Sequence, residues 1–240
     1  MHLGPPEIVG IILARMDSSR LPGKALLRVN DKPLVGYCID RALKIRGLRN
    51  VVLATTDRMV DEPLVEYANS IGLPVYRGES DNVAKRCLDC AKAFGGDYFL
   101  RMNGDSPFVD PSVVGKAIDI LEDQRPDLVT NLLERTYPYG VAVELVRVKT
   151  LEELVGQLTL AQAEHVTAVF YERRHLFELK SISGSFLDYS KCRMVVDDTD
   201  DFRLFEKVVA ALGAGITDSG YEVVANTYLA IKDGKSGPIG

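Results

Sequence analysis

The sequence I-I-L-A-R-M-D-S-S-R-L-P-G-K, residues 11–24, changes abruptly from apolar to basic side chains near the start of the chain. Apolar residues fill positions 8–13, and the polar segment behind them carries Arg15, Arg20 and Lys24. A short apolar run bounded by a polar loop is typical of a buried strand. The stretch therefore predicts a strand over residues 8–13 that ends in a basic loop.

The basic loop has the side chains that a polyphosphate requires. Arg grips two oxygens with its planar fork, Lys supplies a compact mobile charge, and small residues let backbone N–H groups approach a phosphate. The small residues here are Ser18, Ser19 and Gly23. Plain solvated loops also follow many first strands, so the spacing alone leaves both interpretations open.

Short apolar runs alternate with helical periodicity up to about residue 130. Further strands are predicted over 51–54, 73–76, 97–102 and 128–130, and helices from 33 to 45 and over 61–71, 82–94 and 111–122. This alternation predicts an α/β fold, a Rossmann-like and mostly parallel sheet with helices on both faces. Ligands of such sheets bind over the carboxyl ends of the strands. The polar segments at that edge follow Leu13, Ala54, Tyr76 and Met102.

The alternation weakens beyond residue 130. A strand over 141–148, helices over 151–155 and 162–174, strands over 176–182 and 193–196, and helices over 199–212 and 221–231 are predicted. Because no linker or repeat divides the chain, we expect one domain over residues 1–240. Within it, we expect residues 132–190 to be an insertion that covers the site or joins a second subunit. The glycine-rich end, residues 232–240, is expected to be disordered.

The composition fits one compact domain with a sizeable core. Of 240 residues, 46% are hydrophobic, and 29 Lys and Arg against 34 Asp and Glu give a net charge of −5. An acidic chain with no basic patch beyond one loop is not expected to bind nucleic acid. The early apolar run is too short to cross a bilayer and lacks a basic start, which predicts no membrane association and a cytoplasmic location.

The chain has four cysteines, Cys38, Cys87, Cys90 and Cys192, which suit reduced thiols in the cytoplasm. Cys87 and Cys90 form a C-x-x-C pair. A structural zinc site needs a second pair or histidines at ligand spacing, and the sequence shows neither. We therefore expect plain helix residues here.

Acidic residues follow two of the predicted strands. Asp105 stands in a turn after the strand over 97–102, across the expected crevice from the basic loop. Mg²⁺ prefers one or two carboxylates together with phosphate oxygens and water, which suits that position. On residue type and position alone, a turn or helix-capping aspartate is the favoured explanation. The second group, V-V-D-D-T-D-D-F, begins at residue 195, and some of its aspartates belong to a helix start.

The loop motif A-R-M-x-S-S-R-L-P-G-K resembles the opening signature of the cytidylyltransferases typified by CMP-KDO synthetase, CMP-sialic acid synthetase and SpsF, with the SpsF-like branch most similar. N-G-D-S-P-F-V-D-P, from residue 103, resembles that family's G-D-x-P-x-x-D-P, and V-D-D-T-D-D-F resembles its V-D-T-P-E-D-F. The resemblance implies a GT-A-type nucleotidyltransferase fold, CTP as the nucleotide and Mg²⁺ as the cofactor. It also implies that Asp105 and Asp197 are the metal ligands.

The segment R-G-E-S-D-N-V-A-K-R, residues 77–86, resembles R-G-x-x-D-D-V-L-x-R of the same family, which lines the nucleotide pocket there. A capped helix start explains the same residues, and the two interpretations are compatible. The predicted nucleotide-binding residues are Leu13, Ala14, Arg15, Ser19, Arg20, Lys24, Arg77, Asp81, Asn82 and Asn103.

Two weaker segments point to the acceptor. P-Y-G-V-A-V-E, from residue 138, resembles the family's P-x-G-x-D-V-E, and E-H-V-T resembles its R-E-H-V-T. The resemblance implies acceptor binding by Tyr139, Glu144 and His165. Ala142 stands in place of the family's Asp, which leaves the usual sugar specificity open. A lone histidine on a helix also suits a structural role.

The predicted function is Mg²⁺-dependent cytidylyl transfer, in which an acceptor oxygen attacks the α-phosphate of CTP and pyrophosphate leaves. Arg15, Lys24 and Asp105 are the predicted catalytic residues, because this chemistry depends on positioning and charge stabilisation. The expected acceptor is an acidic sugar or a molecule that bears a phosphate or phosphonate. By analogy with relatives in polysaccharide biosynthesis, we expect a homodimer.

Two other functions remain open. One is a glycosyltransferase that uses a nucleotide sugar, or a nucleotidyltransferase that uses another nucleotide. The Ala14-Arg15 opening favours cytidylyl transfer, because the opening loop of sugar-1-phosphate and molybdopterin nucleotidyltransferases is typically glycine-rich. The other is a non-catalytic nucleotide-binding module, against which the presence of Lys24, Asp105 and Asp197 argues. No G-x-G-x-x-G follows the first strand, which argues against a Rossmann dehydrogenase.

Overall fold

The computed structural model describes residues 4–182, 184 and 187–234. Residues 235–240 of the end that was expected to be disordered lie outside this range. The described strands are β1 Ile8–Leu13, β2 Arg28–Val29, β3 Lys32–Pro33, β4 Leu48–Thr56, β5 Val75–Gly78, β6 Tyr98–Asn103, β7 Leu128–Thr130, β8 Glu144–Arg147 and β9 Leu179–Ser181. The described α-helices are α1 Leu34–Ala42, α2 Glu62–Ser70, α3 Val83–Ala93, α4 Pro111–Asp123, α5 Val148–Leu154, α6 Leu160–His165, α7 Ala168–Glu172, α8 Thr199–Leu212 and α9 Tyr221–Lys232.

A mostly parallel seven-stranded sheet forms the centre of the protein, in the order β5-β4-β1-β6-β8-β7-β9. β1 pairs in parallel with β4 and β6, β4 with β5, and β7 with β9. β8 runs antiparallel to both of its neighbours. The predicted α/β fold with a Rossmann-like, mostly parallel sheet is therefore confirmed. The small antiparallel pair β2–β3 was not predicted.

Both faces of the sheet are covered by helices, and β1 shows why. Its residues alternate between two clusters of buried side chains: Ile8 and Ile12 belong to the cluster that contains residues of α1, α2, α4, α8 and α9, while Val9 and Ile11 belong to the one that contains residues of α3, α5 and α7. Every one of these four side chains is at most 1% exposed. In a strand that is buried on both faces, apolar residues do not alternate with polar ones, which explains the uninterrupted apolar run in the sequence.

The register of the central strands brings two loops together at one edge of the sheet. Leu13, the last residue of β1, lies opposite Ala54 of β4 and Asn103 of β6. The loops after β1 and β6 are therefore immediate neighbours, and a backbone hydrogen bond from Gly104 N–H to the Leu13 carbonyl, 2.8 Å long, joins them.

The predicted helix over 162–174 is wrong, because the structure divides this segment into α6 and α7. Val166 lies between them at φ 49° and ψ −59°, and Thr167 N–H donates to the His165 carbonyl at 2.5 Å. This hydrogen bond closes a tight γ-turn, a rare and strained conformation for a β-branched residue. The predicted strand over 193–196 is also wrong, since the residues make one isolated bridge, Tyr139 to Arg193.

The segment 132–190 belongs to the same sheet. It supplies β8, which lies between β6 and β7, and β9 at the sheet edge. That it joins a second subunit stays a prediction. Among the described residues, no helix combines the length and the apolar character that crossing a bilayer requires.

The four cysteines are free and buried. Cys87 and Cys90 lie on the face of α3 that packs against the sheet. Burial raises the pKa of the Cys38 thiol to about 12 and the pKa values of Cys87 and Cys192 to about 11, and it raises that of Cys90 as well. The thiolate is the reactive form, so these groups are inert near neutral pH.

We therefore expect none of the four thiols to react with the disulfide reagent DTNB within minutes at about pH 8 in the native protein, because they are both buried and protonated. All four are expected to react after unfolding in guanidinium. Absorbance of the released thionitrobenzoate measures both rates. Rapid native labelling of either thiol in the C-x-x-C pair would contradict the burial of α3 and reopen the question of a metal or redox role.

Candidate active site

Two adjacent cavities open at the carboxyl edge of the sheet. One, of about 360 Å³, is bordered by the loop after β1 and by α6; we call it the loop cavity. The other, of about 400 Å³, is bordered by β6, β8, the segment 131–144 and α7; we call it the β8 cavity. Of the residues that the structure describes, five line both cavities and so form the junction between them. These junction residues are Arg20, Asn103, Asp105, His165 and Asp197.

Most of the predicted nucleotide-binding residues line the loop cavity. The structure places there Leu13, Ala14, Arg15, Ser19, Arg20, Lys24 and Asn103. Leu13 ends β1, the next five residues belong to the loop behind it, and Asn103 ends β6. The strand register brings these residues together, because Leu13 lies opposite Asn103.

Arg77, Asp81 and Asn82 line neither cavity. Arg77 pairs with Glu62 at 2.6 Å and donates to three carbonyls of residues 56–58, which ties the end of β5 to the loop after β4. Asn82 caps α3, since its Oδ1 accepts from Lys85 N–H at 2.9 Å. Asp81 is exposed. A nucleotide contact by these three residues stays a prediction.

A buried carboxylate fixes the loop after β1. Asp61, which is fully buried, accepts a hydrogen bond from the backbone N–H of Met16 at 2.7 Å and a second from the Thr56 hydroxyl. The Met16 carbonyl in turn accepts from Gly23 N–H at 2.8 Å, and Gly23 adopts φ 73°, which favours glycine. The loop is therefore held in place by hydrogen bonds to its own backbone before any ligand binds.

Lys24 reaches from this loop into the junction. Its side chain is 11% exposed, and Nζ lies 2.7 Å from Asp105 Oδ2, 3.1 Å from Asp197 Oδ1 and 2.9 Å from the carbonyl oxygen of Val196. The side chain thus links three sequence segments that were predicted to meet, the loop after β1, the turn after β6 and the segment before α8.

Asp197 is the most heavily paired carboxylate of the junction. Besides Lys24, Arg20 approaches its Oδ1 to 3.0 Å and Arg193 donates to its Oδ2. Burial alone would raise the pKa of Asp197, but the hydrogen bonds and charges of Lys24, Arg193 and Arg20 outweigh it and hold this pKa below its usual value. Asp197 therefore carries a negative charge at neutral pH.

The donor set at the junction fits a divalent cation in part. Two carboxylates, those of Asp105 and Asp197, already share one cation, the Lys24 ammonium, so their oxygens converge on one point. No group of three or more His, Cys, Asp or Glu side chains at metal-ligand distance occurs in the described part of the chain. Mg²⁺ suits such a site, because it takes one or two carboxylates and completes its shell with phosphate oxygens and water.

The β8 cavity has a buried polar network at one side. Glu144 is 2% exposed, and its carboxylate accepts from Arg101 Nη1 at 2.7 Å and from the Tyr171 hydroxyl at 2.8 Å. Burial raises the pKa of Tyr171 and the Glu144 charge raises it further, so the phenol stays protonated and donates. Arg101 Nε is buried with no hydrogen-bond partner among the described residues.

Tyr139 lies at the mouth of the same cavity, 43% exposed. Two guanidinium groups lie over its ring, that of Arg193 at 4.9 Å and that of Arg135 at 5.4 Å from the ring centre. Such cation–π contacts fix a cation without neutralising it. Arg135 is exposed and forms no salt bridge with any carboxylate in the residues that the structure describes, so it leaves a free positive charge at this mouth.

His165 is the last residue of α6 and faces the junction. The following γ-turn at Val166 ends the helix at this point. A capping box between Thr159 and Gln162 fixes the other end of α6. The three predicted acceptor residues, Tyr139, Glu144 and His165, therefore all line the β8 cavity.

The sequence did not point to several lining residues. Those of the loop cavity are Ala25, Val83, Gly104 and Glu164, and those of the β8 cavity include Arg101, Asn131, Arg135 and Tyr171. The role of Arg101 could have been predicted, because a charged residue inside the apolar strand β6 needs a buried partner. The role of Asp61 could not have been predicted, since the sequence places it among other acidic residues of a predicted helix.

A family model described as Cytidylyltransferase matches residues 9–214. The chain belongs to the cytidylyltransferase family. It is therefore a nucleotidyltransferase that uses CTP, as the sequence motifs predicted.

The chain is similar to three known proteins in particular. Spore coat polysaccharide biosynthesis protein SpsF of Bacillus subtilis is 28% identical over 214 residues, 86% of this chain and 88% of that protein. A solved cytidylyltransferase from Leptospira borgpetersenii is 27% identical and covers 95% of both chains with a TM-score of 0.87. The 3-deoxy-manno-octulosonate cytidylyltransferase of Solibacter usitatus is 29% identical over 133 residues, 55% of this chain and 51% of that protein. The predicted nucleotidyltransferase fold is confirmed.

Replacing Asp61 tests whether the loop of this cytidylyltransferase is held ready for CTP. In Asp61→Leu the Met16 N–H loses its buried acceptor, and we expect CTP to bind about tenfold more weakly, within the range for one lost buried hydrogen bond. Asp61→Asn is the matched control, because its amide oxygen still accepts from Met16. Calorimetric titration of CTP gives both dissociation constants. Equal CTP affinity in Asp61→Leu and the parent would show that Asp61 does not position the loop.

Proposed function

We propose that the protein catalyses Mg²⁺-dependent transfer of CMP from CTP to an anionic acceptor and releases pyrophosphate. One observation carries this proposal: a basic loop cavity and a second, polar cavity meet at a junction with two carboxylates. A transfer between two substrates requires their reacting atoms to meet within about 3–3.5 Å. The junction is where a group bound in one cavity reaches a group bound in the other.

The loop cavity suits CTP. Arg15, Arg20 and Lys24 supply the cations for a triphosphate, and the loop backbone is fixed through Asp61 and Gly23. Fixed cations stabilise the charge that moves onto the leaving pyrophosphate without any reorganisation at the moment of reaction. Lys24 and Arg15 are therefore the proposed phosphate ligands.

Asp105 and Asp197 would hold Mg²⁺. The bound ion would neutralise phosphate charge and orient the α-phosphate for in-line attack. Asp105 is held by the turn after β6, where Val196 N–H donates to its carbonyl oxygen at 2.9 Å. This backbone contact also sets the distance between the two aspartates, because Val196 directly precedes Asp197.

The β8 cavity suits an anionic acceptor. Arg135 leaves a positive charge at its mouth, while the charge of Arg101 is matched by Glu144. Relatives of this chain are named for a sugar acid and for polysaccharide biosynthesis. We therefore propose an acidic sugar as the acceptor, with a phosphate- or phosphonate-bearing molecule as the second candidate, which the small Ala142 side chain in this cavity leaves room for.

We also propose that the enzyme works as a cytoplasmic homodimer. Use of CTP, an intracellular nucleotide, supports the location. Leu160 and Leu176, in the segment 132–190, are 86% and 61% exposed, which supports a contact surface there. Sedimentation velocity of the parent and of Leu160→Glu is the direct test, since a charged side chain would disrupt an apolar interface.

A thermal-shift series with CTP, UTP, GTP and ATP, each with and without Mg²⁺, tests the nucleotide assignment. A ligand at about 100 times its dissociation constant adds about 2.7 kcal/mol, which moves the midpoint by roughly 5–10 °C for a chain of this size. We expect a rise of this size with CTP that Mg²⁺ strengthens. A larger rise with UTP or GTP would overturn the cytidylyl assignment.

Replacing Lys24 with Ala tests its part in catalysis. We expect turnover to fall by roughly 10²–10³, the scale for loss of one preorganised stabilising group. Pyrophosphate release with 3-deoxy-manno-octulosonate as the first acceptor probe measures it. Lys32→Ala is the matched control, because Lys32 pairs with Asp40 and lines neither cavity. Activity of Lys24→Ala within a few-fold of the parent would remove Lys24 from this role.

A further inference from the structure

The Lys24 ammonium has a complete set of partners in the junction. An ammonium group has three N–H donors. Its acceptors here are a carboxylate oxygen of Asp105, a carboxylate oxygen of Asp197 and the Val196 carbonyl, at 2.7, 3.1 and 2.9 Å. The side chain is also largely buried, at 11% exposure. Lys24 is therefore fully bonded before any phosphate is present, although its proposed role is to bind one.

The charges around this ammonium are already balanced. The cations Lys24, Arg20 and Arg193 face the carboxylates Asp105, Asp197 and Asp201, all linked by contacts of 3.5 Å or less. A divalent cation that entered this cluster alone would leave it with excess positive charge. A polyanionic nucleotide removes that excess, because its phosphates offer a new partner to any cation that leaves the carboxylates.

The oxygens that face Lys24 are the ones that the proposed metal requires. Asp105 Oδ2 and Asp197 Oδ1 both point at Nζ, and Arg193 takes the other oxygen of Asp197. Two cations cannot both bind these two partly buried carboxylates at one point, because like charges in a partly desolvated site repel strongly. Lys24 and a metal ion therefore compete for the same position.

We propose that Lys24 is the resident cation of the metal site, which holds the two carboxylates together until CTP arrives and then turns to the phosphates. This inference rests on the proposed function, since it takes Asp105 and Asp197 as the metal ligands. Lys24 thus blocks metal binding in the free enzyme and supports phosphate binding in the complex. Because linkage is reciprocal, metal and nucleotide then favour each other's binding.

Calorimetric titration with Mn²⁺ in the absence of nucleotide tests this competition directly. In Lys24→Met the long apolar side chain keeps the bulk and removes the charge. We expect Mn²⁺ to bind the free variant about tenfold or more tightly than the free parent protein, within the usual range for coupling between two ligands. Asp105→Asn in the Lys24→Met background is expected to abolish the gain, which identifies the carboxylate pair as the binding site.

Arg20→Met is the matched control. Arg20 also contacts Asp197, at 3.0 Å, but its side chain is 64% exposed. The substitution removes one positive charge from the same cluster and leaves the space between the carboxylates filled. If Arg20→Met tightens Mn²⁺ binding as much as Lys24→Met does, general electrostatics explains the effect and the proposal is wrong. Unchanged Mn²⁺ affinity in Lys24→Met would overturn it equally.

A second variant tests whether a loss of folded structure could explain the result. Lys24→Gln keeps hydrogen-bond donors between the carboxylates and lacks the charge, so it is expected to tighten Mn²⁺ binding in the same direction, with circular dichroism and the melting midpoint as checks of the fold. None of these titrations contains CTP. A failure of the nucleotide assignment in the thermal-shift series is therefore distinguishable from a failure of the resident-cation proposal.

Discussion

Hydrogen bonding of β1 between β4 and β6 is the constraint on which the site depends. The parallel register sets Leu13 beside Asn103, and the loops that follow must then share one edge of the sheet. Lys24 from the first loop and Asp105 from the second meet at 2.7 Å as a result. The segment before α8 joins them because Val196 N–H donates to the Asp105 carbonyl, which brings Asp197 to the same point. Three loops far apart in sequence thus depend on one strand pairing.

Sequence patterns predicted the fold well where strands and helices alternate. The helix α8 and the strands β1 and β7 begin and end where the periodicity placed them. The polar segments after the strands also fall at one edge, as the parallel arrangement requires. Their roles differ, however: the loops after β1 and β6 line the cavities, whereas Asp61, after β4, and Arg77, within the end of β5, hold loop backbones in place. A motif cannot distinguish these roles, because both require the same charged side chains.

Contacts between distant segments explain what the sequence could not predict. Arg101 and Glu144 pair only because β8 inserts beside β6, and Tyr171 reaches them from α7. Nothing local to β8 predicts an antiparallel strand in the middle of an otherwise parallel region. The helix break at Val166 is equally hidden, since Val has no preference for positive φ and the segment 162–174 keeps helical periodicity.

The strain at Val166 has a consequence for the site. A β-branched residue stays in the left-handed region only where its surroundings determine the conformation, and Val166 is fully buried in the core beside α3. Because the apolar side chain is held there, the chain turns sharply after His165, and α6 ends with Glu164 and His165 at the cavity side. The packing of one valine thus sets where α6, in the segment 132–190, borders the loop cavity. The two cavities are therefore joined by this turn in the backbone as well as by the ion pairs of Lys24 with Asp105 and Asp197.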